Sequence, residues 1–232
     1  MFLSEYYLES DTGIGFNREQ ASSFAKRIAG DFNPLHDPEN KMFCVPGDLL
    51  FSVALAKLGL NQKMRFTFSG MVSDDTTIIF HTADQQSIEA RDSEGKVYLS
   101  IKRSGTASSN EEAICSLARS YVEFSGQTFP HILVPLMQEK SVMINPARPL
   151  VIYESMEIDL DRLDFNNPEL ELTDTSLEVN GKKGRVRLGF CLKEDGITIG
   201  SGAKYMALRG LRAYDQEAVD GIVHNYMQSI DK

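Results

Sequence analysis

A chain of 232 residues with 42% hydrophobic and 25% charged residues has an ordinary globular composition, with enough apolar mass for a real core. Its net charge of −9 and scattered basic residues exclude a nucleic-acid binder, which needs a clustered positive surface. The most apolar run, Leu49 to Leu60, is too short to span a bilayer, Met1 to Asp11 lacks the order of a signal peptide, and Cys44, Cys115 and Cys191 fit neither a disulfide framework nor a zinc spacing.

A cytoplasmic protein without a bound metal is therefore the expectation. Asn17-Arg18-Glu19-Gln20 has the form of a capping box, and Ala21, Phe24, Ala25 and Ile28 recur at helical spacing, which predicts an amphipathic helix over Arg18 to Ala29. Gly30 ends it. The polar segment Asp31-Phe32-Asn33-Pro34-Leu35-His36-Asp37-Pro38 is rich in turn formers. Beyond Pro46-Gly47, residues Asp48 to Leu58 are apolar nearly all round, the pattern of a helix buried on most faces.

Four strand-like runs follow, Met64 to Phe68, Thr76 to His81, Ser87 to Arg91 and Lys96 to Lys102, with the clearest hairpin turn at Asp92 to Gly95. The small, polar stretch Ser104 to Asn110 suits a linker. The order then repeats. Glu111 to Phe124 reads as a helix with Leu117, Tyr121 and Phe124 facing inward, and strands are predicted at Leu150 to Asp159, Leu170 to Val179, Arg185 to Lys193 and Ile197 to Leu208. A last helix spans Asp215 to Ile230. The acidic run Glu154 to Asp164 reads as a solvated strand end, and the basic group Lys182, Lys183, Arg185 and Arg187 as a solvated hairpin.

The two halves align residue by residue at one stretch, and across a short deletion Val45-Pro46 meets Val134-Pro135, each pair before a helix. Ala29 to His36 lies over Ser125 to Ile132, with Gly30 on Gly126 and Pro34 on Pro130, and an amphipathic helix precedes each segment. Helix, loop, buried helix and antiparallel strands make an α+β module, and two modules can cover each other's sheet edges. The expected division is residues 1–104 and 110–232.

At Asp31, Asn33, Pro34, His36 and Gly47 the chain resembles the MaoC-like, (R)-specific enoyl-CoA hydratase family of hot-dog proteins. The resemblance covers roughly residues 12–103. It implies a double hot-dog, each half an antiparallel sheet wrapped around an apolar helix, with catalytic Asp31 and His36 sharing a water that adds syn to a trans-2-enoyl thioester. Asn33 would orient the loop. The implied substrate rides on coenzyme A or acyl carrier protein, with no further cofactor.

The chemistry fits these residue types. Hydration of a conjugated double bond needs a base for water, an acid for the α-carbon and a donor for the enolate oxygen. A carboxylate and an imidazole on one turn can converge, and His titrates near neutral pH. If Gly47 opens the buried helix, its N–H makes an oxyanion site at the positive end of the helix dipole, and the missing side chain lets substrate approach. Each residue also has a bland reading: Asp31 a helix-ending Asx turn, Asn33-Pro34 a plain turn, His36 an exposed histidine, Gly47 a conformational glycine.

Pro46 stands where the family places a His, and the loop from His36 to Gly47 is short. In the second half Gln127 and Ile132 occupy the Asp31 and His36 positions and cannot transfer protons, so that half reads as a degenerate copy supplying structure and one tunnel wall. His131, His81 and His224 lack partners at ligand spacing, and Gly13-x-Gly15 is not a dinucleotide fingerprint. Two rival functions stay open. One is a hot-dog thioesterase, which often puts a carboxylate in the central helix: Leu49 to Leu58 has none, Asp48 stands only at its start, and the second half offers Glu139. The other is a non-catalytic acyl-thioester-binding module. A homodimer is compatible with either and required by neither.

Overall fold

The structure, a computed structural model, describes residues 2–84, 86–126 and 128–230. A 3-10 turn, Phe2–Glu5, and a short hairpin, β1 (Leu8–Ser10) with β2 (Gly13–Gly15), lead into α1 (Arg18–Phe24). Asn17 caps α1, its Oδ1 accepting the Gln20 N–H at 2.7 Å. The predicted helix is regular only to Phe24. Residues Ala25–Ala29 widen into a π-helical turn, a local unwinding that periodicity of apolar positions cannot register.

After the motif loop comes α2 (Gly47–Leu58), in which every residue from Asp48 to Leu55 is buried. This is the central helix the apolar run predicts. Strands β3 (Leu60–Phe68), β4 (Ile79–Asp84), β5 (Ser87–Arg91) and β6 (Val97–Ser108) then curve around it. The second half runs through α3 (Glu111–Gly126), α4 (Leu133–Glu139), β7 (Val142–Met143), β8 (Leu150–Leu160), β9 (Glu169–Asn180), β10 (Lys183–Glu194) and β11 (Ile197–Arg209). It closes with β12 (Arg212–Ala213) and α5 (Gln216–Ile230).

The eight long strands form one antiparallel sheet in the order β4-β5-β6-β3-β8-β11-β10-β9. Read outward from the centre, each half has the same order, so the sheet carries an internal two-fold relation. The chain is an α+β double hot-dog. The seam is β3 against β8, where Phe66 faces Met156 and Met64 faces Ile158, all four buried. On the outer face Lys63 pairs with Asp159 and Arg65 with Glu157, each at 2.7 Å. The acidic run is therefore divided: Glu154, Glu157 and Asp159 lie on the central strand β8, and Asp161 and Asp164 stand exposed past its end as expected. The edge each half would otherwise expose is satisfied by the other.

The segment expected as a linker is not one. Residues Ser104 to Ser108 continue β6 and pair with Leu60 to Lys63. Small polar residues are tolerated there because that end of the strand is largely exposed and needs no apolar face. The basic hairpin behaves as expected: β9 and β10 turn at Gly181, and Arg185 pairs with Glu154.

The aligned glycines also meet in space. A Cβ on Gly126 would fall 1.6 Å from the carbonyl oxygen of Ala29, so the end of α3 rests directly on the end of the π-turn. Among the described residues no helix is long and apolar enough to cross a membrane.

Candidate active site

The motif loop is shaped by its own side chains. Gly30 takes a left-handed conformation, φ +64°, which stops the π-turn without a Cβ clash. The Asp31 N–H then bonds back to Ala25 O at 2.8 Å. Asp31 Oδ1 accepts the Asn33 N–H at 2.9 Å, and Asn33 Oδ1 accepts the Leu35 N–H at 3.1 Å. These two Asx turns set up the 3-10 turn Pro34–His36. Asn33 shapes the loop, and its side chain does not reach the imidazole.

His36 is buried, at 7% exposure, so it is not a loop histidine in solvent. Its Nδ1 lies 2.8 Å from Cys44 O. A carbonyl only accepts, so Nδ1 carries a proton and Nε2 faces Asp31 Oδ2 at 3.5 Å. Burial alone would lower the imidazole's pKa, but the Asp31 carboxylate and the Cys44 side chain, whose Sγ lies 4.0 Å from Nδ1, raise it to about 10. Burial likewise pushes the Asp31 carboxyl up, and His36, the Asn33 amide and the charge of Lys204 outweigh it and hold it below the ordinary range. The expectation of a histidine titrating near neutrality is corrected: the resting pair is imidazolium and carboxylate.

Gly47 is the first residue of α2, as predicted, but its open side is already filled. A Cβ there would lie 2.6 Å from Cδ1 of Tyr153, so the missing side chain admits this ring. The Leu49 and Leu50 N–H groups turn back to Pro46 O, which leaves the Gly47 and Asp48 amides at the helix mouth.

Two cavities meet at Asp31. One, about 250 Å³, lies between the loop, α4 and α5 and is lined by Phe32, Phe129, Leu133, Ile144 and Ile222. The other, about 260 Å³, runs past His36, Gly47, Asp48, Phe68 and Tyr153. Asp31, Asn33, Val151, Lys204 and Met206 line both.

Several polar groups of this junction were not anticipated. Asp48 is buried in the first turn of α2, and its Oδ2 accepts from Ser125 Oγ at 2.7 Å. Ser125 Oγ in turn accepts a hydrogen bond from Lys204 Nζ, which also reaches Ser125 O at 3.3 Å. Burial pushes the Asp48 carboxyl up, against the pull of Lys204 and Ser125. Lys204 Nζ sits 4.5 Å over the Tyr153 ring, and the Tyr153 and Tyr121 hydroxyls share a hydrogen bond. Burial raises both phenols well above their usual range. The sequence offered one faint signal, a lone Lys in the otherwise apolar or small row of β11.

The second half is thus more than a wall, since Ser125, Tyr153 and Lys204 bring polar chemistry to the junction. Gln127 lies outside the described residues. Ile132 is half-buried ahead of α4, and His131, His81 and His224 are exposed. Glu139 is exposed and paired with Lys140, away from both cavities. Among the described residues no group of three or more His, Cys, Asp or Glu is placed to hold a metal ion.

Fold and junction together define a double hot-dog with a buried imidazole beside a half-buried carboxylate. The chain belongs to the family described as protein of unknown function (DUF3581), whose model matches residues 1–217. No curated protein matches it. Among solved structures it is similar to a MaoC-like dehydratase, at 9% identity and a TM-score of 0.43, over 88% of this chain and 98% of that one. It is also similar to the tesB protein of Mycobacterium avium subs paratuberculosis, at 7% identity and TM-score 0.45, over 73% and 89%. A third is acyl-CoA thioesterase II TesB2 from Mycobacterium marinum, at 11% and 0.42, over 73% and 91%.

Proposed function

We propose that this protein adds water reversibly to a trans-2-enoyl thioester carried on coenzyme A or acyl carrier protein. The observation that carries the reading is the Asp31–His36 pair, 3.5 Å apart, fixed by the Cys44 carbonyl and lining one cavity together, with Asp31 also lining the second. In hydration the Asp31 carboxylate takes a proton from water as its oxygen bonds to C3. The C2–C3 π electrons move to C2, where conjugation shares the charge with the thioester oxygen. The His36 imidazolium then delivers the Nε2 proton to C2. Passing the proton from Asp31 back to Nε2 restores the pair.

Asn33 keeps the two side chains in register by shaping the turn, and the Gly47 N–H at the positive end of α2 faces the thioester oxygen. No electrons leave the substrate, so the reaction calls for no redox cofactor. Residues 1–104 supply the acid–base pair, and residues 110–232 supply the facing wall and its cation. The apolar cavity beneath α5 takes the acyl chain.

A second reading, thioester hydrolysis, is favoured by one observation: Asp48 places a buried carboxylate in the same cavity, at the start of the central helix. The test is hydration of crotonyl-CoA followed by loss of enoyl absorbance, with free thiol measured in parallel. Asp31→Asn and His36→Ala are each expected to lower the hydration rate by at least about 100-fold. Full activity in both variants ends the assignment. Thiol release that tracks Asp48 and ignores His36 establishes the second reading instead.

A further inference from the structure

The reaction above uses Asp31, His36 and a backbone amide, yet the best-buried cation in the junction is left without a task. Lys204 lies on β11, opposite Met156, and is 6% exposed. Burying an ammonium is costly unless its charge is answered and its protons are placed. Its charge is answered by two carboxylates, Asp31 and Asp48, both of which feel it. Two of its three protons are placed on Ser125 Oγ and O. The third has no hydrogen-bond acceptor among the described residues.

The position of this ammonium is as telling as its burial. Lys204 is one of five residues lining both cavities, and two of the others are the motif residues Asp31 and Asn33. It is tied to the mouth of α2 from two sides. The chain Lys204–Ser125–Asp48 ends one residue after Gly47. The Tyr153 ring touches both the bare Cα of Gly47 and the ammonium. Any thioester carbonyl placed at the Gly47 N–H, with its alkene against Asp31 and His36, therefore lies in the cavity that Lys204 walls.

We propose that Lys204 is the second hydrogen-bond donor to the substrate's thioester oxygen, acting beside the Gly47 N–H, so that the two halves of the chain assemble one oxyanion site between them. The inference rests on the thioester reading of the junction. As negative charge builds on the oxygen in the enolate-like transition state, a hydrogen bond from Nζ stabilises that charge inside the cavity. A merely structural lysine would neutralise Asp48 and touch nothing else. The two roles differ in one respect: only a donor to the substrate can sense whether a ligand has a carbonyl.

The experiment compares calorimetric binding of butyryl-CoA with that of S-butyl-CoA, the thioether that lacks the carbonyl, and follows crotonyl-CoA hydration in the same proteins. The wild type is expected to prefer the thioester by about tenfold or more, the scale of a charged hydrogen bond. Lys204→Met should erase most of that preference, leave thioether affinity in place, raise KM for crotonyl-CoA about tenfold and lower kcat about 100-fold. Should the single variant fold poorly, the charge-neutral pair Lys204→Met with Asp48→Asn is expected to show the same lost preference. A preference that survives in either folded variant, an equal loss for both ligands, or a wild type that binds both alike overturns the inference. A wild type with the Lys204-dependent preference but no hydration of crotonyl-CoA overturns the hydratase reading and leaves the lysine's role standing.

Discussion

His36 is gripped at both ring nitrogens, by a neutral carbonyl at Nδ1 and a carboxylate at Nε2, and the carboxylate favours the charged ring. The consequence for stability has a definite sign. A group whose pKa is raised by folding, here from 6.5 to about 10, contributes fully below pH 6.5 and loses that contribution as pH rises through 10. Asp31, held below its ordinary 3.8, contributes above that value and loses its part as pH falls through the lowered one. Thermal unfolding should therefore show a decline in wild-type stability between about pH 6.5 and 10. His36→Gln should lack this component, and parallel curves for the two proteins would remove the ion pair from the account. The motif itself was legible in the sequence, because spacing and turn chemistry fix Asp31, Asn33 and His36 locally. The raised pKa was not, because it depends on how the folded loop brings Asp31 and the Cys44 side chain against a buried ring.

At the scale of elements, periodicity placed most helices and long strands that bury one face, and missed the first residues of α4 and β3 although both bury apolar side chains. It also failed where burial does not decide: the exposed end of β6 and the π-turn before the motif. Gly47 shows how a residue can be placed correctly for a different reason. It does open α2, yet its missing side chain makes room for Tyr153 rather than for substrate. Gly47→Ala must push back a ring tied by its hydroxyl to Tyr121, and a loss of about 1–3 kcal/mol in stability is expected from chemical denaturation. Gly126→Ala should be worse. Its new methyl meets the Ala29 carbonyl rather than a movable ring, and a loss of about 3 kcal/mol or more is expected. Wild-type stability in the Gly126 variant would mean that the two helix ends do not touch as described.

Across the whole molecule, the repeat in sequence becomes a repeat in the sheet, with β3 and β8 at its centre and the same strand order on either side. The copies have diverged in their helices: α2 runs twelve residues, while α4 runs seven. The shorter helix leaves room for the apolar cavity, and α5 closes it from outside. Tyr226 of α5 packs edge-on against Phe32 and Phe129 and donates to Gly30 O at 3.3 Å, directly over the motif loop. Such long-range convergence is what the sequence could not disclose, and Lys204 and Ser125 were hidden for the same reason. Only Val219 of α5 is fully buried, so removing residues 216–230 should cost about 2 kcal/mol from that side chain and leave the sheet intact. The truncated protein should keep crotonyl-CoA turnover and lose its advantage on longer enoyl chains, measured as kcat/KM across chain length. An unchanged chain-length profile would place the acyl group elsewhere.

The most direct test of the account follows the oxygen. Crotonyl-CoA is incubated with the protein in water enriched in ¹⁸O and the products are read by mass spectrometry after short reaction times. Water activated by Asp31 and His36 puts one heavy oxygen on C3 of a 3-hydroxybutyryl thioester whose thioester bond is still closed. Heavy oxygen found instead in the carboxylate of free crotonate would show water attacking the carbonyl, and the hydratase assignment would be wrong.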